Sequence, residues 1–174
     1  MANTSLTARV ARLFRHRLRD EGSTHRAIPH DMVQRLAQRV GASEKRHSGE
    51  IRIYVESSLP TSYVMRGATP RERALAMFAK LRVWDTEHNN GVLIYLLLVE
   101  RAIEIVADRG LSARVPDSEW QAIVMRMQSA FRDSRFEDGL TGALGEVSAL
   151  LVSHFPLQAG EPDRNELPDE PVLG

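Results

Sequence analysis

The stretch Trp84–Gly110, WDTEHNNGVLIYLLLVERAIEIVADRG, decides the fold of this chain. Its centre, Val92–Val99, is an unbroken apolar run that includes β-branched and aromatic side chains. Such a run is too short to span a bilayer as a helix and predicts a strand buried on both faces. The segment AIEIVAD that follows alternates in polarity and predicts a hairpin return. The hairpin would bring Asp108 back beside Asn90 and Gly91, which places two polar loops at one edge of the sheet.

The residues before this stretch predict the rest of the sheet. Glu50–Ser57 alternates apolar and polar side chains, as a half-covered or edge strand does. Between the two strands, Thr69, Pro70 and Glu72 give a T-x-x-E capping box with proline at the first helical position. A strand, a helical crossover and a second strand form a βαβ unit, so these two strands should be parallel. We therefore expect an α/β fold with a small mixed sheet, in which a parallel βαβ pair is joined by an antiparallel hairpin strand and helices cover both faces.

Composition limits the classes of function. The charge balances, with 23 basic and 23 acidic side chains, so overall basicity gives no case for a nucleic-acid partner. The absence of cysteine excludes disulfides, thiol catalysis and Cys-ligated zinc, and fits a reducing compartment. Arginines occupy the N-terminal region where a secretory signal needs an apolar core, so we expect a cytoplasmic protein.

The chain divides into three segments. Residues 1–27 predict a basic amphipathic helix and a linker, residues 28–157 the α/β domain, and residues 158–174 a mobile tail rich in proline and acids. The apolar positions of the first helix are Leu6, Val10, Leu13, Phe14 and Leu18. That helix could lie on an anionic membrane surface, although its small apolar face favours packing on the domain.

Acidic and amide side chains should meet at the amino ends of the parallel strands. They are Glu50, Asp85, Glu87, Asn89, Asn90 and Asp108. Carboxylate and amide oxygens are the ligands that calcium and magnesium prefer. We predict a divalent-cation site built from Glu50, Asp85, Asn89, Asn90 and Asp108. In the alternative interpretation the loop residues are turn formers, Asp108 pairs with a neighbouring arginine and Glu50 is solvated.

Two weaker sites can be considered. His47 and His88 flank the same edge, but neither lies in an H-x-x-x-H or H-E-x-x-H pattern that would indicate zinc. Arg66, Arg71 and Arg73 flank the opposite end of the first strand, where a helix N-terminus would help to attract an anion. Neither a G-x-S-x-G elbow nor a phosphate-binding glycine loop occurs.

The segments HSGEIRIYVE, LRVWDTEHNNGVLIYLLLVERAIEIVADRG and NELPDEP together resemble the TPM-domain family, and particularly its cytoplasmic proteobacterial branch. The likeness runs from about residue 28 to residue 172. It implies a Rossmann-like α/β/α sandwich. Members of the family include acid phosphatases and proteins that bind calcium or related ions. The family-like positions here are Gly49-Glu50, Asn90-Gly91 and Asp108-Arg109-Gly110.

Two functions follow from the residues and the resemblance. In the first, a bound ion polarises a phosphate ester and lowers the pKa of a water molecule, Asp108 or Glu87 holds or accepts a proton, and Arg109 steadies the phosphate. In the second, the protein is a non-catalytic interaction module. Its basic helix or acidic tail would then dock on a membrane-protein or quality-control partner.

Overall fold

The computed structural model describes residues 6–18, 21–157 and 165–174 of the 174-residue chain. Predictions for residues 1–5, 19–20 and 158–164 lie outside the described residues. The helices of the described part are α1 (Leu6–Arg17), α2 (Glu21–Ala27), α3 (His30–Glu44), α4 (Thr61–Met65), α5 (Pro70–Lys80), α6 (Arg109–Ser112), α7 (Asp117–Arg132) and α8 (Phe136–His154). The strands are β1 (Ile51–Glu56), β2 (Val92–Leu97), β3 (Ala102–Ala107) and β4 (Val172–Leu173).

The described strands form one mixed sheet in the order β3-β2-β1-β4. Strands β1 and β2 are parallel, with Ile51 opposite Val92, and β2 pairs antiparallel with β3, with Val92 opposite Ala107. A single 3-10 turn and Arg101, which takes a left-handed conformation with φ of 50°, reverse the chain between β2 and β3. The predicted α/β fold with a parallel βαβ pair and an antiparallel hairpin strand is confirmed.

Helices cover both faces of the sheet, and as a result every side chain of β2 is buried. On one face, Val92, Ile94 and Leu96 pack with residues of α3, α6, α7 and α8. On the other face, Leu93 and Tyr95 pack with residues of α4, α5 and the inner side of α1. Among the described residues, no helix is long and apolar enough to cross a membrane.

Helix α5 begins as its sequence predicts. The Thr69 side chain accepts a hydrogen bond from the Glu72 N–H, and the Glu72 carboxylate accepts one from the Thr69 N–H at 2.6 Å. This reciprocal capping box satisfies two donors that the helix itself cannot. The helix ends at Lys80, and Trp84, which follows it, is half exposed.

A buried ionic network ties α5 to the sheet. Arg73 donates two hydrogen bonds to the carboxylate of Glu56, one of them at 3.0 Å, and the Tyr95 hydroxyl donates a third at 2.9 Å. Tyr54 stacks on Tyr95 with ring centroids 5.9 Å apart. Burial is the main reason why the pKa of Tyr95 is raised. The Tyr95 hydroxyl therefore keeps its proton and continues to donate to Glu56, so each member of this buried network has a hydrogen-bond partner.

The structure differs from the predicted mobile tail over residues 165–174, which we call the strap. Val172 pairs with Tyr54 as β4 lies parallel to β1, and Gly174 N–H donates to the Val55 carbonyl at 2.9 Å. Leu167 and Val172 pack against the core on the α5 face. The proline- and acid-rich composition is misleading because backbone hydrogen bonds hold much of this segment.

Arg71 of α5 contacts the outer edge of β3. Asp108 N–H bonds to the Gly91 carbonyl, so by alternation the backbone groups of Ile103, Ile105 and Ala107 point away from β2. Arg71 Nη1 donates to the Ile105 carbonyl at 2.6 Å. An arginine of α5 thus covers the middle of the free edge.

Candidate functional site

The turn before β2 and the end of β3 are neighbours, as the hairpin prediction requires. Asp108 N–H donates to the Gly91 carbonyl and Gly110 N–H to the Asn89 carbonyl, each at 2.8 Å. The Arg109 Nε donates to Asn89 Oδ1 at 2.9 Å. This part of the prediction is confirmed. We call the surface formed by residues 48–50, 85–91 and 108–110 the site edge.

Close backbone approach explains the glycine at position 110. A Cβ atom there would lie 2.5 Å from the Asn89 carbonyl oxygen and 2.6 Å from that of His88. Asn89 itself takes a positive φ of 52°, a conformation that asparagine tolerates better than most residues. The two loops can touch only because these positions carry residues without bulky or β-branched side chains.

Asn90 is the most enclosed polar residue of the site edge. It is fully buried, its N–H donates to Thr86 Oγ1 at 3.1 Å, and its Nδ2 donates to Ser48 Oγ at 3.3 Å. Its Oδ1 is shielded from solvent and accepts no hydrogen bond from any described residue. A buried acceptor left unpaired costs about 1–3 kcal/mol, so this oxygen is available to a donor or a cation.

Asp108 presents a second oxygen of the same kind. One carboxylate oxygen caps α6 by accepting the Arg109 N–H at 2.7 Å. The other, Oδ2, is shielded from solvent and has no hydrogen-bond partner within the described part of the chain. One oxygen of the carboxylate therefore caps α6, and the other can still accept a hydrogen bond or bind a cation.

The other predicted ligands are placed differently. Glu50 is buried, and its carboxylate accepts the N–H groups of Glu166 and Leu167 at 2.9 and 3.2 Å. Asp85 is exposed, with the nearest guanidinium nitrogen of Arg82 at 3.8 Å. Glu50 is thus not simply solvated, and Asp85 does not lie in the buried part of the site edge.

Glu87 contributes a backbone group, not only a side chain. Its N–H donates to Glu166 Oε2 at 3.0 Å, while its own side chain is exposed. Glu166 therefore adds a carboxylate to the 85–91 loop. Sequence reasoning missed this residue because it placed position 166 in a mobile tail, although the NELPDEP segment gave the signal.

The described residues contain no group of three or more His, Cys, Asp or Glu side chains placed to hold a metal ion. The unused oxygens of Asn90 and Asp108 nevertheless belong to the hard donor types that calcium and magnesium take. The donor chemistry of these two oxygens fits such an ion, and the exposed Asp85 lies on the same 85–91 loop as Asn90.

The predicted anion site at the other end of β1 is not supported by the contacts of its arginines. Arg73 is paired with Glu56 and Arg66 with Glu72, in each case through a guanidinium–carboxylate contact. Arg71 holds the outer edge of β3. Each guanidinium already has a partner, so the cluster does not present three unpaired cations.

His47 is a buried group that sequence reasoning could only place near the edge. Its Nδ1 lies 3.0 Å from the Gly49 carbonyl oxygen, and because that oxygen can only accept, Nδ1 carries the proton and Nε2 is an acceptor. Nε2 is buried and unbonded to any described residue. Burial lowers the pKa of His47 to about 4, against a smaller opposing effect of the Gly49 carbonyl. His88 is exposed, so the two histidines differ in surroundings.

The chain is similar to known proteins in sequence and in fold. A family model described as the TPM domain matches residues 26–150. The chain belongs to the TPM-domain family. Among solved structures, the BA42 protein of the psychrophilic bacterium Bizionia argentinensis is similar, with 26% identity and a TM-score of 0.71, over 87% of this chain and 94% of that chain. The N-terminal domain of a P. gingivalis protein is similar in fold, with 23% identity and a TM-score of 0.57, over 70% of this chain and 76% of that chain. No curated protein matches.

The buried His47 predicts a pH dependence of stability. In the unfolded TPM domain His47 titrates near 6.5, whereas in the folded state its pKa is about 4. The unfolded state therefore binds more protons between these values, so stability is unaffected by His47 above pH 6.5 and falls as the pH drops towards 4. The slope from this one group is at most about 1.4 kcal/mol per pH unit.

Urea unfolding at a series of pH values measures this dependence. His47→Asn keeps an amide donor towards Gly49 and should flatten the slope in that window. The exposed His30→Asn is the matched control and should leave the slope as in the wild type. Equal slopes for wild type and His47→Asn would contradict the assignment.

Proposed function

We propose that the site edge of this TPM domain binds a hard divalent cation of the calcium or magnesium type. The observation that supports the proposal is the pair of buried oxygens, Asn90 Oδ1 and Asp108 Oδ2, that accept no hydrogen bond from the described residues. They lie on the two loops that the backbone bonds of Asn89 and Gly91 hold together. A cation would satisfy both oxygens and neutralise the carboxylate of Asp108.

The remaining predicted ligands would have subsidiary roles. Asp85 is exposed and could complete the coordination from the 85–91 loop, and Asn89 would offer oxygen atoms that now accept from Arg109 and Gly110. Glu50 would join only after a change in its hydrogen bonding. We also assign the protein to the cytoplasmic proteobacterial branch of the family, on the sequence segments alone.

The reaction that we propose is hydrolysis of a phosphate monoester. The ion, when bound, would supply Lewis-acid polarisation and a water of lowered pKa. Arg109 is exposed and tethered to Asn89 through Nε, which holds its guanidinium at the rim of the site edge. There it would bind the phosphate. The exposed carboxylate of Glu87 would hold or accept a proton.

The cation prediction can be tested by thermal unfolding. A cation that binds only the folded TPM domain raises the melting temperature by mass action, by about 5–10 °C at a concentration one hundred times the dissociation constant. Calcium, magnesium, manganese and zinc chlorides should be compared, with a chelator added to reverse the effect. An absence of any shift would refute the cation site.

Asp108→Asn is the informative variant for this measurement. Asparagine retains the oxygen that caps α6 but loses the charge, so the fold should persist while the cation-induced shift is strongly reduced. Asp133→Asn removes a carboxylate that is exposed beyond the end of α7 and should leave the shift unchanged.

The enzymatic prediction uses p-nitrophenyl phosphate as the probe. Turnover should require added divalent ion, and Asp108→Asn should lower kcat/KM by about 100-fold or more. Arg109→Ala should mainly raise KM because it removes a phosphate contact, whereas Arg132→Ala, at the exposed end of α7, should change neither constant. Ion binding without any turnover would favour a structural or regulatory cation.

A second function is favoured by the surface of α1. The helix docks on the domain through Leu13 and the buried His16, but Val10, Phe14 and Leu18 are 45%, 61% and 82% exposed. These three recur every four residues and form an apolar ridge on a basic helix. Such a surface suits contact with an anionic membrane or with a protein embedded in one.

Vesicle co-sedimentation tests the ridge. Full-length protein should partition onto phosphatidylcholine vesicles containing about one-third phosphatidylserine more strongly than onto phosphatidylcholine alone. Phe14→Ser with Leu18→Ser should lower the partition coefficient by about tenfold or more. The control Met125→Ser alters a similarly exposed apolar residue of α7 and should have no effect. Equal partitioning of all variants would exclude the ridge as a membrane contact.

A further inference from the structure

The strap is attached to the site edge through a predicted cation ligand. Both carboxylate oxygens of Glu50 accept backbone N–H groups, Oε1 from Glu166 at 2.9 Å and Oε2 from Leu167 at 3.2 Å. The Glu166 carboxylate in turn accepts the Glu87 N–H at 3.0 Å. The first residues of the strap therefore lie across the strand start of β1 and the 85–91 loop together.

The rest of the strap is held mainly near its end, where Gly174 donates to the Val55 carbonyl at 2.9 Å and accepts from the Ser57 N–H at 3.1 Å and from Thr24 Oγ1 at 2.9 Å. Strand β4 pairs with β1 at only two positions. Arg52, which is buried beneath the strap, donates to the Glu170 carbonyl at 3.2 Å. Leu167 and Val172 are only partly buried. A short edge segment of this kind belongs to the part of a fold that opens most readily.

Strap and cation would need the same oxygen atoms. Calcium and magnesium approach carboxylate oxygens to between about 2.0 and 2.6 Å and require them free of competing donors in that direction. With the strap docked, Glu50 is 3% exposed and each of its oxygens already faces a peptide N–H. Direct coordination by Glu50 therefore requires residues 166 and 167 to leave it.

We propose that the strap and a divalent cation compete for the carboxylate of Glu50, so that strap docking weakens cation binding and cation binding loosens the strap. This inference rests on the proposed cation site. The coupling is reciprocal, since two ligands of one group must alter each other's affinity by the same factor. The strap is then an internal regulator of the site edge, and anything that pulls it from β1 raises the affinity for the ion.

The experiment measures the calcium dissociation constant by titration calorimetry on the full-length chain. Leu167→Asn with Val172→Asn should release the strap without changing net charge or the other site-edge residues, and should tighten calcium binding about fivefold or more. The control Pro168→Asn alters an exposed strap residue between them and should bind calcium as the wild type does. Hydrogen exchange at the amides of Glu166 and Leu167 in the wild type should accelerate when calcium is added.

A double-mutant cycle that combines Glu50→Gln with the strap-releasing substitutions tests whether the Glu50 carboxylate carries the competition. Once Glu50 is neutral, the strap-releasing substitutions should no longer alter calcium affinity, because the competed ligand is gone. An unchanged or weaker affinity in the released variant with Glu50 intact would overturn the competition, and a weaker one would indicate that Glu166 serves as a ligand. If neither the wild type nor the released variant binds calcium or magnesium, the proposed cation site itself fails, and the competition fails with it.

Discussion

The complete burial of β2 is the constraint on which the rest of the molecule depends. Six consecutive residues, Val92–Leu97, present buried side chains to both faces, so a layer of helices is needed on each side. The strand is also paired along both edges, with β1 and with β3. Its amino end is therefore fixed in position, and the loop before it can hold polar groups in a defined arrangement. The site edge is a consequence of this burial.

Local sequence patterns were sufficient for the elements that have strong periodicity or specific end signals. The apolar run of β2 and the capping box at Thr69 each determine a local conformation. The parallel pairing of β1 and β2 follows from the helical crossover that joins those two strands. The strap escaped prediction because its residues Asn165–Gly174 form few local contacts. Their partners, such as Glu50 and Val55, lie more than one hundred positions away and leave no periodic trace in the segment.

The candidate site was predictable at the level of loops but not of atoms. Hairpin geometry alone brings Asp108 to Gly91, and that contact is present. The roles of individual side chains depend on orientation, which spacing does not contain. Asn90 faces inward to Ser48, Asp85 remains exposed, and Glu50 is turned to the strap. A set of ligand-like residues can thus share one edge of the sheet while their side chains point in different directions.

The guanidinium at the outer edge of β3 has a bearing on how this protein behaves at high concentration. An uncovered row of peptide groups is a template on which another chain can add, and natural sheets commonly block it with a charge. Arg71 occupies the central carbonyl of that row, at Ile105, and brings a cation that a second hydrophobic strand would have to desolvate. Arg71 therefore opposes the addition of further strands to this edge, which is how a small sheet grows into a fibril. For that reason Arg71 should be kept when the surface is engineered for crystallisation.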